Sequence, residues 1–315
     1  MHAKAKQTDL NMKMFLAVCF AFFINNKSII FANKKIMFLR KVFYKISPEQ
    51  RYLVRRLYYL PVDIMDSLRG KRNKYIPPRG LIFTGGGDYL QLANMFFAYF
   101  KQFCNLKPDS SVLDIGSGIG RMAVPFIGFL DKNGKYEGID IVKKGINWCN
   151  KHISRSNPQF NFKHSDIYND LYNSNGVIKA EDYIFPYQNQ EFDLVFLTSV
   201  FTHMLKDEVG HYISEISRVL KPGGKCLATF FVLNDESIRL MNTAEDTFKF
   251  PHNHGDYSFM SEDTKTANVA FKQSWIENIM QQNNLKIEVI RYGFWSGRNK
   301  ADFPDFQDVI IVSKT

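Results

Sequence analysis

The chain has 315 residues, 45% of them hydrophobic and 15% aromatic, enough for one large α/β domain with additions, and the length allows one domain or two. The formal net charge of +10 is unevenly placed: residues 1–80 hold 17 Lys and Arg against 4 Asp and Glu, and the other 235 residues hold 24 against 27. The four cysteines, Cys19, Cys104, Cys149 and Cys226, lie far apart with no C-x-x-C and no metal-ligand spacing. They read as reduced residues of a reducing, cytoplasmic compartment, and no metal site is expected.

Residues 1–36 form a leader around "MFLAVCFAFFI" (14–24), an apolar run of 11 residues behind Lys4, Lys6 and Lys13. It is too short to span a bilayer as a helix. Three readings stay open: an over-extended or disordered leader, a membrane-associating segment, or a signal peptide with a poor cleavage site at "IFA". Residues 37–80 read as a basic arm of one or two short helices. Ser47 with Pro48 behind it is a helix start, Leu53, Leu57 and Leu60 make an apolar stripe, and Pro61 should end the helix. "YIPPRG" then closes the arm as an extended linker. A cap packed on the following domain and a membrane-surface segment are both expected roles for this arm, the latter placing an anionic surface against residues 1–76.

From residue 81 onward one domain is expected. After the glycines at 85–87 comes an apolar helix, and strands and helices then alternate. "SVLDIG" (111–116) is a strand followed by a helix from about Gly120 to Phe129. "KYEGIDI" (135–141), "NFKHSDI" (161–167), "FDLVFLTS" (192–199) and "KCLATFFVL" (225–233) are further strands, with helices over 142–153 and 202–220. The turn at Lys221-Pro222-Gly223-Gly224 leads into the fifth strand. A last helix (271–284) precedes two strands, 285–295 and 306–314, with none between them. This alternation predicts a doubly wound, mostly parallel sheet whose last two strands pair antiparallel.

In such a sheet the ligand lies beyond the carboxyl end of the first strand. There the chain reads Asp114-x-Gly116-x-Gly118-x-Gly120, and the second strand ends in Asp140, 20 residues after Gly120. A carboxylate there accepts hydrogen bonds from ribose hydroxyls. G-x-G-x-G lacks the third glycine of the dinucleotide fingerprint. An acid two residues before the loop suits a ligand with an amino group and a sulfonium better than a pyrophosphate.

Taken in order, the glycine loop with Asp114, then Asp140, "HSDI" with Asp166, "FDLVFLTSVFTHM" and "VLKPGG" resemble the class I S-adenosylmethionine-dependent methyltransferases, in the small-molecule branch. The similarity covers roughly residues 85–235. It implies a seven-stranded Rossmann-like fold with S-adenosyl-L-methionine as cofactor. Gly116, Ser117, Gly118 and Gly120 would hold the methionine end, with Asp114 near its amino group. Asp140 would bind the ribose beside Ile141, Asp166 would reach the adenine beside Ile167, and Thr198 with Ser199 would face the cofactor or the acceptor. Asp193, at the start of its strand, reads as structural.

Methyl transfer mainly needs alignment and exclusion of water, with a base where the acceptor is a hydroxyl or acidic carbon. His203, just after the fourth strand, is the candidate base; a local structural role is the competing reading. Transfer to a hydroxyl of a small molecule is favoured, and a membrane lipid or quinone acceptor and a non-catalytic binding module are the alternatives. "LTSVF" replaces the Asn/Asp-Pro-Pro-Tyr of enzymes that methylate nucleic-acid bases, so nucleic acid is not the expected substrate. Segments 168–188 and 234–260 read as acceptor walls, the second as a lid carrying Phe248, Phe250, Tyr257 and Phe259, with Trp295 and Arg298 on the rim.

Overall fold

The computed structural model describes residues 47–70, 73–244, 247–262 and 264–315, so the leader lies outside the described residues. Two compact units are present, Met1–Gly87 and Asp88–Thr315.

In the first unit, helix α1 spans Pro48–Leu68. Ser47 caps it: its Oγ accepts from the Gln50 amide (3.3 Å), and Gln50 Oε1 accepts from the Ser47 amide (3.1 Å). The helix does not stop at Pro61 as the sequence suggests. Proline removes one N–H and leaves the Leu57 carbonyl without its helical donor. Leu57 and Pro61 are both exposed, so water can satisfy that oxygen. A short 3₁₀ turn, Arg79–Leu81, folds back along α1. The Asp63 carboxylate holds it by accepting from the Arg79 (2.7 Å) and Gly80 (3.0 Å) amides. The leucines of the predicted stripe are exposed.

The second unit is built on a seven-stranded sheet in the order β10-β11-β5-β4-β1-β2-β3. These strands are β1 (Ser111–Ile115), β2 (Lys135–Asp140), β3 (Phe160–His164), β4 (Phe192–Leu197), β5 (Leu220–Phe230), β10 (Leu285–Arg291) and β11 (Asp308–Lys314). β1 to β5 pair in parallel, whereas β11 runs antiparallel to both β5 and β10. The central strands are buried on both faces, as their unbroken apolar runs require. Helices α2 (Tyr89–Phe103), α3 (Lys143–His152), α4 (Lys206–Val219) and α6 (Gln273–Gln282) accompany the sheet. Asp88 caps α2, accepting from the Gln91 amide at 2.8 Å. Asp193 is structural as expected: it accepts from the Ser111 amide and from Lys221 Nζ, tying β4 to β1 and β5.

Three expectations are corrected. No α-helix forms over 120–129; turns and a 3₁₀ segment, Val124–Phe126, stand there instead. Pro125 lacks the helical donor, and Gly128 at φ +83° turns the chain out of the helix. The Pro-Gly-Gly segment does not precede β5 but lies inside it, absorbed where the register with β4 shifts between Phe192 and Leu194.

The third correction concerns the lid. Residues 232–272 fold as β6 (Val232–Leu233), α5 (Asp235–Thr243), β7 (His252–Asn253), β8 (Tyr257–Phe259) and β9 (Val269–Lys272). The four strands make a second sheet, β6-β9-β8-β7, beside a small core of Phe231, Met241, Phe250 and Trp295. Phe250 and Phe259 are 3% and 2% exposed, so this is a packed wall. Trp295 and Arg298 are also inside it rather than on a rim, at 1% and 5% exposure. The cause is Asp308, fully buried at the start of β11. It accepts from Trp295 Nε1 (2.7 Å) and from the amides of Val232 (2.6 Å) and Gly293 (2.7 Å). Arg298 lies 3.7 Å from it and also holds Glu236 at 2.8 Å.

Candidate active site

The glycine loop leaves the carboxyl end of β1 and turns over β2. The amides of Gly116 and Ser117 both donate to the Ile139 carbonyl, at 2.8 and 3.0 Å, and the Gly120 amide donates to Ser117 O at 2.9 Å. Gly116, Gly118 and Gly120 have φ of +81°, +58° and +77°, so the backbone itself demands glycine. A Cβ on Gly116 would also stand 2.3 Å from Val200 Cγ2. That contact is with the segment after β4, so the glycine serves close packing of the protein as well as access for a ligand. Gly116→Ala should cost about 2 kcal/mol of stability or more, from strain and overpacking together. Urea unfolding measures it, and a midpoint equal to wild type would contradict this geometry.

Asp140 ends β2 and anchors the loop. One oxygen accepts from the Gly118 amide at 2.7 Å, the other from the Val142 amide at 2.6 Å. Burial pushes its carboxyl up to about 6, against these two bonds, which favour the charged form. A carboxylate has about four acceptor sites, so capacity for two hydroxyls remains. Ile141 follows, half-buried, and its carbonyl lies 3.1 Å from His164 Nε2. Asp166 is exposed; its Oδ1 accepts from Asn173 Nδ2 at 3.4 Å, and Ile167 next to it is buried in the core.

Asp114 is 1% exposed. Its Oδ2 accepts from Tyr136 OH at 2.5 Å, while Oδ1 is buried with no hydrogen-bond partner. Burial raises its carboxyl to about 8, despite the Tyr136 bond that favours ionisation. Ser117 Oγ is likewise buried without a partner. Buried polar atoms left unpaired are costly, and two stand within four residues here, one near the end of β1 and one in the loop after it.

Sequence reasoning missed two members of this cluster. Arg121 is 7% exposed, and its guanidinium stands 5.5 Å from the Tyr89 ring centroid. Tyr89 OH donates to the Ile119 carbonyl at 3.1 Å, and the charges of Asp114 and Arg121 both act on it. The available signal was the arginine directly after Gly120. Tyr136 could not be singled out, because an aromatic in a buried strand reads as core.

After β4 the chain passes Thr198, half-buried, and Ser199, which holds φ +60°. The Ser199 amide donates to Thr229 Oγ1 (2.7 Å) and its hydroxyl to Gln307 Oε1 (2.9 Å). A 3₁₀ turn, Phe201–His203, follows. His203 Nδ1 lies 2.9 Å from the Thr266 carbonyl, which makes that nitrogen the N–H donor and leaves Nε2 basic. Burial holds its pKa below the ordinary value, opposed by the Thr266 and Ala267 carbonyls and by Asp170. Asn169 Nδ2 donates to the His203 carbonyl (3.4 Å), Tyr172 sets its ring edge-on at 5.6 Å, and Asp170 accepts from Thr266 Oγ1. The predicted wall 168–188 therefore meets His203, whose other neighbour, Thr266, lies beyond the predicted wall 234–260. His252 and His254 face Glu262 at 3.3 and 3.5 Å, and among the described residues no group of three or more His, Cys, Asp or Glu could hold a metal ion.

Known proteins resemble this chain over part of its length. Residues 112–224 match the family model of a methyltransferase domain. A ubiquinone/menaquinone biosynthesis C-methyltransferase of Wigglesworthia glossinidia brevipalpis is 30% identical over 130 residues, 41% of this chain. The chain spans about half the length of that relative, 46%. A solved Pyrococcus horikoshii protein shares the fold, with TM-score 0.52 and 14% identity over 75% of this chain and 95% of its own. A Methanosarcina mazei S-adenosylmethionine-dependent methyltransferase aligns at TM-score 0.45 and 20% identity, over 66% of this chain and 94% of its own. Residues 112–224, within this Rossmann-like sheet, are thus similar to a methyltransferase domain.

Proposed function

We propose that the unit Asp88–Thr315 transfers a methyl group from S-adenosylmethionine to a small-molecule acceptor that gives up a proton. The observation that carries this reading is the pair of buried, unpartnered atoms at the end of β1 and in the glycine loop after it, Asp114 Oδ1 and Ser117 Oγ. With Arg121 at the same loop, they offer an acid, a hydroxyl and a cation to the ammonium and carboxylate of an amino-acid end. Asp140 keeps acceptor capacity for the two ribose hydroxyls, and Asp166 and Ile167 stand at the next strand end for the base.

When bound, S-adenosylmethionine supplies an electrophilic methyl group on a sulfonium. The chain's own residues supply the rest. Asn169 and Tyr172 on one side and Thr266 on the other enclose His203, which keeps water from it and helps hold the acceptor. His203, neutral near pH 7 with its Nδ1 proton committed to Thr266, takes the acceptor's proton at Nε2. This suits a hydroxyl, the expected acceptor, and equally the acidic carbon implied by the C-methyltransferase relative. An amine acceptor would need no such base.

Incubation with methyl-labelled donor and a small-molecule cell extract should label a small-molecule fraction. Binding of S-adenosylhomocysteine without any transfer would leave a non-catalytic module; binding of NAD alone would end the proposal. Asp140→Ala should weaken S-adenosylhomocysteine binding by about 1–3 kcal/mol, the cost of losing hydrogen bonds to a charged group. An unchanged dissociation constant by isothermal titration would move the ribose site elsewhere.

A further inference from the structure

On α1, Leu53, Leu57, Leu60, Ile64 and Leu68 recur at i, i+4, i+7, i+11 and i+15, which sets them in one row along the helix. All five are exposed, at 58%, 55%, 50%, 51% and 83%. The helix is fixed from another side: Asp63 holds the Arg79 and Gly80 amides, and the Tyr52 ring meets Phe83 edge-on at 5.4 Å. The row is thus held outward by the unit's own structure. An exposed apolar strip of this length marks an interaction surface.

The charge around the row selects the occupant. Lys41 and Lys45 precede the helix, and Arg69, Lys71, Arg72 and Lys74 follow it. The three acids of α1, Glu49, Asp63 and Asp66, leave this charge largely uncompensated, since residues 37–80 hold 11 Lys and Arg against them. A second copy laid on the same row would bring together two arms in which residues 37–80 hold 11 Lys and Arg against 3 Asp and Glu. An anionic lipid surface would instead be attracted by both ends while the leucines enter its acyl boundary. Among the described residues no helix is long and apolar enough to cross a membrane.

We propose that α1 is a surface-binding helix whose leucine row docks on anionic phospholipid. This rests on the first unit alone and is independent of the methyltransferase reading.

The test is sedimentation of the full chain with phosphatidylcholine vesicles and with vesicles also containing phosphatidylserine, at low and high salt. Wild type should co-sediment with the phosphatidylserine vesicles and release with salt. Leu57→Ser/Ile64→Ser should bind them roughly a hundredfold more weakly, since two apolar side chains lose their burial. S-adenosylhomocysteine binding and far-UV circular dichroism should be unchanged. Should that variant misfold, Leu57→Trp in the otherwise native chain gives a direct readout: its added fluorescence should shift to the blue on phosphatidylserine vesicles. Absence of wild-type binding, equal binding by the serine variant, or no blue shift would overturn the proposal. So would wild-type dimers that the serine variant abolishes without vesicle binding, which would assign the row to a second copy.

Discussion

His203→Ala is expected to lower turnover by about 10²-fold or more, the usual contribution of a positioned base, with little change in cofactor affinity. The geometry makes the reason specific. Nδ1 is committed to the Thr266 carbonyl at 2.9 Å, so only Nε2 can accept a proton. The pH profile carries the same information. Burial lowers the His203 pKa, so the neutral, active form persists below the ordinary histidine range and activity falls only as pH drops through that lowered value. The acid limb of kcat should therefore lie below about 6.5, the unperturbed histidine value, and should vanish in His203→Ala. A variant with full turnover and an unaltered acid limb would assign the histidine to local structure.

Asp308→Ala should be the most destabilising single change in the second unit, at about 3–5 kcal/mol. The side chain is fully buried and takes three hydrogen bonds, from Val232, Gly293 and Trp295. Its removal strands three buried donors and leaves the Arg298 guanidinium, 1% exposed, without its buried counter-charge. Burial pushes the Asp308 carboxyl up to about 6. Because that is above the unfolded value, this group favours the fold most at low pH, and its share is lost as pH rises through about 6. Thermal unfolding of wild type and variant between pH 5 and 8 measures both effects. A loss under about 1 kcal/mol would show that the corner repacks or admits water.

The sheet was readable because each strand is an apolar run with a marked end: Gly116 after β1, Asp140 at β2, the turn signal beside β5. The same marks gave the glycine loop and Asp140, since local chemistry sets both. What escaped depends on partners distant in sequence. Residues 234–260 look like loop because β7 and β8 have two and three residues, too few for a period; only the pairing of β8 with β7 and β9 makes a sheet. Trp295 and Arg298 looked like rim residues because nothing near them in sequence announces Asp308. Asp114 was legible as an acid before the loop, whereas its bond to Tyr136, 22 residues on, was not. The missing helix after β1 is a different failure: Pro125 and Gly128 were in plain view and outweighed by the expected strand–helix alternation.

The position of β11 sets the order in which the sheet can be assembled. β10 is made first, yet among the described residues its one neighbour in the sheet is β11, which lies between it and β5. Until residues 308–314 have been synthesised, β10 has no strand to join, and the long β5 presents an open edge. Such an edge pairs readily with other chains. The interval is a window for misassembly during synthesis, and it closes when β11 enters and the sheet zips shut from both sides.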